Sequence, residues 1–297
     1  ITGWRRVTVG GMQMWAASVP EALNGKWPFS ELWVNGQRRI RARHPNAGYL
    51  NIAELPGVTN ETQLTEGQRR FRFHDGDLMA WRTATEAEVV VMNRWVESRL
   101  PIVSVDESQN LVTFDRSSTY RLDPGDLYYV ENALELLDSP GEWYLNRTAG
   151  ILYYLPKPDE DMGKAEVVAP VLSQLMRLEG KPEDGELVEH IAFRGLAFAY
   201  TEWVPPSELS GYTQAAVGVP GAIYGVGVRR CSFESCAFEH LGTYAIELSR
   251  GCRDNVIKGC EIQDLGAGGI KIGEEMIRDD EADQTYGIEI SDCRIFN

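Results

Sequence analysis

The sequence predicts an all-β protein that combines a right-handed parallel β-helix with an inserted antiparallel β-sandwich or barrel-like domain. Three observations support this fold: a 24-residue repeat late in the chain, short strands with period-2 alternation elsewhere, and little helical patterning. We expect residues 1–58 to form N-terminal strands that lead into the β-helix. Residues 59–186 are predicted to form the inserted domain, and residues 187–297 the regular coils.

The repeat is clearest in two segments that lie 24 residues apart. Cys236–Gly242 returns as Cys260–Gly266, and Ile246 returns as Ile270. The same apolar pattern recurs 40 residues earlier and 33 residues later. These offsets exceed one 24-residue coil by 16 and nine residues, so insertions of these lengths are predicted between strands. Inward side chains of successive coils stack about 4.8 Å apart, so like residues meet in the core. The thiols predicted to stack there in reduced form are those of Cys236, Cys260 and Cys293.

The earlier part of the chain shows hairpins and alternating strands. Asn35-Gly36, between two short strands, is a strong signal for a type I′ hairpin. A second hairpin is predicted from residues 142–145 and 151–155. Further strands are predicted at 88–92, 102–105, 111–114 and 127–130, and short helical turns at 132–137 and 170–178.

Charge and composition argue against several classes of partner. A net charge of −15 repels nucleic acid, and no apolar run approaches the roughly 20 residues that span a bilayer. The five cysteines follow residue 230 without the spacing of a zinc site, so we expect no metal and no cofactor. The candidate basic patch, interpreted as the solvated face of a strand, consists of Arg38, Arg39, Arg41 and Arg43.

Both ends of the sequence suggest a piece of a longer protein. The chain opens at Ile1 without a starting Met or a signal peptide, so we expect any export signal to lie upstream. It stops at Asn297, in mid-coil and at the register position of Asp264. An apolar coil end is predicted there, and we expect missing coils or another chain to cover it.

Several segments spread over the chain carry a family resemblance. These segments are 29–36 (FSELWVNG), 41–46 (RARHPN), 140–147 (PGEWYLNR), 150–154 (GILYY), 168–170 (VAP) and 265–274 (LGAGGIKIGE). Together they resemble right-handed parallel β-helix proteins grouped with, or near, glycoside hydrolase family 141, including their inserted β domain. The resemblance implies a bacterial, secreted or periplasmic protein that degrades plant polysaccharide, with α-L-fucosidase and xylanase activities in the family. It also implies catalytic carboxylates on later coils, beyond Asn297.

A glycosidase also needs two carboxyl groups, about 5 Å apart in retaining and roughly 6.5–9.5 Å apart in inverting enzymes. Within this chain we predict Asp264 and Glu274 as the catalytic pair. Asp264 belongs to a predicted polar ladder at a strand end, formed by Tyr200, His240, Asp264 and Asn297. The residues predicted to bind a polysaccharide or oligosaccharide substrate are His240, Glu247, Lys271, Trp203 and Glu202.

Each candidate also has a purely structural interpretation. Asp264 with His240 would be a turn-stabilising pair, and Glu247 with Lys271 would be a cross-strand ion pair. Glu274 and Glu275 would be solvated loop acids, and Trp203 would be a loop anchor. Two other functions stay open at this point. One is a polysaccharide lyase, with Lys271 as base and Glu247 and Asp264 near a calcium ion, although the acidic chain disfavours an anionic substrate. The other is a non-catalytic glycan-binding module.

Overall fold

The computed structural model describes residues 1–206 and 208–296, and these residues form an all-β structure with short 3₁₀ helices. The chain divides into two compact units. Unit 1 comprises Ile1–Val167 and Val204–Val217, and unit 2 comprises Val168–Trp203 and Gly218–Asn297. Within the described ranges, no helix is long and apolar enough to cross a membrane. Asn297, the last member of the predicted polar ladder, lies outside the described residues.

Unit 1 contains fourteen strands and four 3₁₀ helices among the described residues. The strands are β1 (Arg5–Val9), β2 (Met12–Ser18), β3 (Leu32–Val34), β4 (Gln37–Arg41), β5 (Arg43–His44), β6 (Leu50–Asn51), β7 (Arg70–Arg72), β8 (Glu88–Asn93), β9 (Val96–Asp106), β10 (Leu111–Phe114), β11 (Leu127–Glu131), β12 (Glu142–Asn146), β13 (Ile151–Tyr154) and β14 (Val167–Val168). The 3₁₀ helices are Pro20–Gly25, Ala84–Glu86, Leu134–Leu136 and Gln214–Ala216.

Two seven-stranded sheets organise unit 1. One has the order β1-β2-β13-β12-β4-β3-β14, and the other has the order β5-β11-β8-β9-β10-β7, with β6 also paired to β11. The pairs β1-β2, β2-β13, β13-β12 and β4-β3 and those of the second sheet are antiparallel, whereas β12 lies parallel to β4. Alternate side chains of the second sheet enter the main core, because successive residues of a strand point to opposite faces. Fully buried members of this core include Phe71, Val89, Val91, Leu100, Val112 and Tyr128.

The two predicted hairpins of unit 1 are confirmed. Val34 pairs with Gln37 across a two-residue turn, and both turn residues, Asn35 and Gly36, have positive φ, at 52° and 69°. Positive φ at both central residues defines the type I′ turn, which explains the Asn-Gly choice. Strands β12 and β13 form the second hairpin. The four further predicted strands are also present, as β8, β9, β10 and β11.

Unit 2 contains fourteen strands and two 3₁₀ helices among the described residues. The strands are β15 (Met176–Glu179), β16 (Val188–Glu189), β17 (Ala192–Arg194), β18 (Ala197–Thr201), β19 (Gly221–Val226), β20 (Val228–Arg229), β21 (Ser232–Glu234), β22 (Ala237–Leu241), β23 (Tyr244–Leu248), β24 (Val256–Lys258), β25 (Glu261–Leu265), β26 (Ile270–Ile272), β27 (Glu289–Ser291) and β28 (Arg294–Phe296). The 3₁₀ helices are Pro182–Asp184 and Glu281–Asp283.

All named sheets of unit 2 are parallel. Their strand orders are β15-β19-β23-β26, β16-β20, β17-β21-β24-β27 and β18-β22-β25-β28. Phe238 pairs with Ile262, and Ile246 with Ile270, so the 24-residue repeat is the pairing register. The predicted 40-residue and 33-residue offsets are also pairing registers, because β17 pairs with β21 and β24 with β27.

Like residues stack in the core of unit 2. The rings of Phe193 and Phe233 lie 4.8 Å apart between centroids, and those of Phe198 and Phe238 lie 5.0 Å apart. All five cysteines are free thiols, as predicted for Cys236, Cys260 and Cys293. The thiols of Cys231, Cys236, Cys252 and Cys260 are buried, whereas that of Cys293 is half-buried.

Two local predictions were wrong. Residues 170–178 form no helical turn. The end of this segment belongs to β15 (Met176–Glu179), which pairs in parallel with β19 through backbone hydrogen bonds. The arginine patch is not a solvated strand face, because Arg39 and Arg41 are buried and paired to carboxylates. The turn predicted at 132–137 is present as the 3₁₀ helix Leu134–Leu136.

Candidate functional site

The outward face of the sheet β15-β19-β23-β26 carries a row of polar side chains. Parallel register places Arg177 beside Tyr224, Tyr224 beside Glu247, and Glu247 beside Lys271. The alternate residues of the same strands, such as Ile223 and Ile246, enter the core of unit 2. Parallel pairing therefore brings four chemically active side chains from four separate strands into one line.

Glu247 and Lys271 form the most enclosed ion pair of this row. Their side chains lie 3.0 Å apart and are 10% and 16% exposed. The second carboxylate oxygen of Glu247 accepts the backbone N–H of Gly221 at 2.9 Å, and the Lys271 ammonium donates to the Val219 carbonyl at 2.9 Å. Because both oxygens of Glu247 are engaged, the pair suits a fixed charge arrangement better than a nucleophile.

Tyr244 completes what we call the Glu247 cluster, defined by Tyr244, Glu247 and Lys271. The Lys271 ammonium lies 5.3 Å from the centre of the Tyr244 ring, within cation–π range. Burial raises the pKa of Tyr244, and the negative charge of Glu247 raises it further. The hydroxyl therefore keeps its proton at neutral pH and can donate a hydrogen bond.

His240 and Asp264 form the second polar group of unit 2. The His240 Nδ1 lies 2.7 Å from a carboxylate oxygen of Asp264, and the Tyr200 ring stacks on the imidazole at 5.2 Å between centroids. All three residues have positive φ, at 65° for Tyr200, 58° for His240 and 50° for Asp264. Each is the residue that the parallel pairing of its strand skips without a change of register, so the same left-handed kink recurs at the same place in successive strands.

The His240–Asp264 arrangement is suited to holding or moving a proton. When Asp264 accepts a hydrogen bond from Nδ1–H, the neutral imidazole carries its acceptor lone pair on Nε2. The side chains are 15% and 30% exposed, so solvent reaches both. One residue earlier on each strand, the Gln263 amide donates to Glu239 at 3.2 Å, which adds a second polar rung. The sequence analysis missed Glu239, although it shares the 24-residue spacing with Gln263.

Glu274, the second predicted catalytic acid, lies in the loop after β26. It is exposed and forms a bidentate pair with Arg278, at 2.8 and 2.9 Å. The structure therefore brings Asp264 to His240 and Glu274 to Arg278, and Glu275 is exposed beside Glu274. The same loop lines a pocket of about 330 Å³, whose walls include Glu274, Met276, Arg278, Asp283 and Tyr286.

The two residues predicted at the start of the 16-residue insertion are more enclosed than expected of a sugar platform. Glu202 is buried, and its backbone N–H donates to Leu172 at 3.0 Å. Trp203 is half-buried, and its backbone lies against Gly242, where a Cβ would meet the Trp203 nitrogen at 3.1 Å. A large side chain at Gly242 would therefore displace this segment.

Unit 1 contains a buried charge cluster that the sequence analysis missed. Arg41 pairs with Glu88 and lies 2.7 Å from Glu131, while Arg99 lies 2.8 Å from Glu131 and 3.4 Å from Glu88. Burial alone would raise the pKa of Glu88, but the charges of Arg41 and Arg99 outweigh it and lower the pKa to about 2. Both carboxylates are clamped by arginines, so this cluster suits rigid support better than acid catalysis.

Glu142 in unit 1 has the opposite electrostatic setting. Burial raises the pKa of Glu142 to about 7, although the backbone N–H groups of Ser139, Asp138 and Arg43 donate to the carboxylate. These hydrogen bonds, at 3.0–3.3 Å, offset part of the burial effect.

Within residues 1–206 and 208–296, no group of three or more His, Cys, Asp or Glu is placed to hold a metal ion.

Comparisons with known proteins agree with this architecture. The family model of the GH141 insertion domain matches residues 121–157, which cover β11 to β13. The fold is similar to that of a solved structure described as a glycoside hydrolase, with a TM-score of 0.75 and 23% identity over 98% of this chain. This chain spans 58% of that structure. The comparison with curated proteins gave no match. The chain thus carries a segment of GH141 insertion-domain type and shares the fold of a glycoside hydrolase structure.

Proposed function

We propose that this chain is a glycoside hydrolase, or a fragment of one, that acts on plant cell-wall polysaccharide such as xylan or fucosylated pectin. The observation that carries the proposal is the fold shared with a glycoside hydrolase over 98% of the chain. The insertion-domain match at residues 121–157 adds a second, sequence-based link to the same class. Because fold alone does not fix function, the residues of unit 2 must supply the chemical argument.

The proposal includes the architecture of unit 2, which we assign as a segment of right-handed parallel β-helix with 24-residue coils. Four parallel sheets support this assignment, and in three of them one pairing step equals the 24-residue repeat. The proposed division into N-terminal strands (1–58), an inserted antiparallel domain (59–186) and coils (187–297) also places the GH141 insertion match inside the insertion. Insertions between coils are where such folds commonly build binding walls.

The proposed chemistry uses two carboxylates. Asp264, with His240 on its carboxylate, would transfer a proton at the glycosidic oxygen or at water, and Glu274 would be the second carboxylate after release from Arg278. The Glu247 cluster would bind sugar hydroxyls through Lys271 and the Tyr244 hydroxyl. Trp203 and Glu202 would contact the substrate only after local rearrangement, because they are half-buried and buried.

The whole protein would work outside the cytoplasm, secreted or periplasmic, as expected for an enzyme whose substrate is an external polysaccharide. Since this chain spans 58% of the similar structure, neighbouring sequence would supply the rest of the site. Further catalytic carboxylates beyond Asn297 are part of this proposal.

The test compares this chain with a version extended by its native downstream sequence, on xylan and fucosylated pectin fragments. Release of reducing sugar by either version supports the proposal, and activity in the longer version alone places essential groups beyond Asn297. Asp264→Asn and Glu274→Gln are then made in the active version, and a loss of about 10²-fold or more is expected for each. Full activity in both variants would remove these residues from the mechanism. A product that absorbs in the ultraviolet, formed only with calcium, would instead identify a lyase.

A further inference from the structure

Unit 1 presents an exposed tryptophan at the tip of a hairpin. The indole of Trp95 is 58% exposed, whereas the other seven tryptophans of the described residues are buried or half-buried. Trp95 follows Arg94 in the two-residue turn between β8 and β9, where Asn93 pairs with Val96. An indole left in water forgoes one of the largest gains from burial that a side chain can offer.

The residues of this turn also depart from the usual sequence preference of two-residue hairpin turns. Two-residue hairpin turns favour Asn-Gly or a glycine at the first position, because positive φ is needed there. Arg94 has φ of 58° at that first position. A non-glycine residue in this region costs roughly 1–2 kcal/mol, and neither Arg94 nor Trp95 is a turn residue. Departures from local folding rules concentrate at functional sites.

The indole is held in place by a built support. Tyr120 contacts Trp95 edge-on, with ring centroids 5.9 Å apart and an interplanar angle of 88°. The buried side chain of Asn93 donates to the Tyr120 carbonyl at 3.3 Å and accepts from the hydroxyl of buried Ser98 at 3.2 Å. Ser98 in turn accepts the backbone N–H of Thr119 at 3.0 Å. Buried hydrogen bonds therefore fasten the hairpin to the segment that carries Tyr120.

Charged side chains adjoin this aromatic pair along the chain, since Arg94 precedes Trp95 and Arg121 follows Tyr120. Arg94 pairs with one carboxylate oxygen of Asp123, and Arg121 lies 3.2 Å from the other. Arg121 also donates to the Thr62 carbonyl at 2.8 Å, which anchors the group to a neighbouring segment. An exposed indole and a linked group of hydrogen-bonding side chains therefore lie next to each other in the chain.

We propose that Trp95 and Tyr120, with Arg94 and Asp123 at their edge, form a carbohydrate-binding platform in unit 1 that is separate from the catalytic groups proposed in unit 2. The C–H face of a pyranose ring stacks on an indole, and its hydroxyls pair with guanidinium and carboxylate groups. The choice of a glycan rests in part on the proposed function. Nucleobases also stack on aromatic rings, but the net charge of −15 repels polyanions. A single ring with a charged border is far smaller than the roughly 800 Å² per partner of a stable protein interface.

The experiment measures retardation of the full chain in native gels that contain soluble xylan, fucosylated pectin or single-stranded DNA. Trp95→Ala is expected to weaken binding to at least one glycan by about 10- to 30-fold, as truncation of an aromatic anchor does. Trp95→Phe should retain most of the binding. The matched control is Val103→Ala, a similarly exposed apolar residue on the strand β9 that follows the turn, which should bind like the wild type. All variants should show the thermal midpoint of the wild type.

Three results would overturn the platform: no glycan retards the wild type, Trp95→Ala binds every glycan equally well, or the variant loses only DNA binding. The proposed function is tested separately by hydrolysis of short oligosaccharides with Asp264→Asn. Binding that depends on Trp95, without hydrolysis by this chain or by its extended version, would uphold the platform and refute the hydrolase. Hydrolysis together with unchanged glycan binding by Trp95→Ala would uphold the hydrolase and refute the platform.

Discussion

Replacing Lys271 by Met should destabilise unit 2 strongly, because the substitution leaves the Glu247 carboxylate without its cation. The two charges are 3.0 Å apart and their side chains are 10–16% exposed. At an effective dielectric constant of about 20, the Coulomb attraction is roughly 5 kcal/mol, and desolvation offsets part of it. Loss of one partner from a buried pair typically costs about 3–5 kcal/mol. Gly221 still donates to Glu247, so the lower end of that range is expected.

A double-mutant cycle separates the pair from its surroundings. Glu247→Gln alone should also destabilise unit 2, whereas Glu247→Gln with Lys271→Met should cost about 2–3 kcal/mol less than the sum of the single changes. The matched control is Lys258→Met, since Lys258 and Asp292 lie 3.9 Å apart with side chains 58% and 76% exposed. Such exposed pairs contribute at most about 1 kcal/mol.

The assay exploits the position of the cysteines. All five thiols lie in unit 2 and four are buried, so pulsed labelling by a thiol reagent across a urea series reports unfolding of that unit alone. The reasoning is refuted if Lys271→Met shifts the labelling midpoint no more than Lys258→Met does. Strict additivity in the cycle would equally show that Glu247 and Lys271 do not interact.

Three further predictions follow from burial and close packing. Because the folded pKa of Glu142 is about 7 and the ordinary value is 4.5, the native state binds the extra proton between these pH values. The free energy of unfolding should therefore fall by about 3 kcal/mol from pH 4.5 to 7, and urea titrations of Glu142→Gln should lack this component. Burial raises the pKa of Cys252 and Cys260 to about 11, so mass spectrometry should find Cys293 labelled first at pH 8, and equal rates would contradict the structure. Gly221→Ala should destabilise unit 2 by several kcal/mol, because its Cβ would lie 2.6 Å from the Glu247 backbone nitrogen; an unchanged labelling midpoint would disprove that contact.

The repeat made unit 2 predictable because parallel stacking converts sequence spacing directly into spatial pairing. Once Cys236 and Cys260 are set in register, the partners of Ile246 and His240 follow at the same offset of 24. Like residues then stack in the core, so the stacking is visible in the sequence as the same residue type repeated at a fixed spacing. The pair of Asp264 with His240 was therefore foreseeable, whereas Glu274 lies in an insertion outside the repeat and its partner Arg278 was not foreseen.

Unit 1 offered no comparable rule for its polar groups. Arg39 and Arg41 alternate on the buried side of β4, and the partners of Arg41, Glu88 and Glu131, lie 47 and 90 residues away in the chain. Period-2 patterning predicts which residues lie on the same face of a strand, but it does not predict which segment packs against that face. The buried arginines were thus misread as solvated. The turn of Arg94 and Trp95 carried a usable signal, since a two-residue turn without Gly or Asn breaks the local preference.

A common backbone device explains why the polar ladder of unit 2 recurs in register. Tyr200, His240 and Asp264 are the residues that the pairing skips in β18, β22 and β25, each with positive φ. This left-handed kink re-aims one side chain and leaves the register on either side unchanged, so the core can keep Phe198, Phe238 and Ile262 in contact while the skipped position varies. Asp and His tolerate the left-handed region better than Tyr does, which makes Tyr200 the costliest choice at this position. Selection for a stacked, hydrogen-bonded surface accounts for that cost better than selection for stability alone, and this argues that the ladder, more than the enclosed Glu247 cluster, is where the chemistry of unit 2 should be sought.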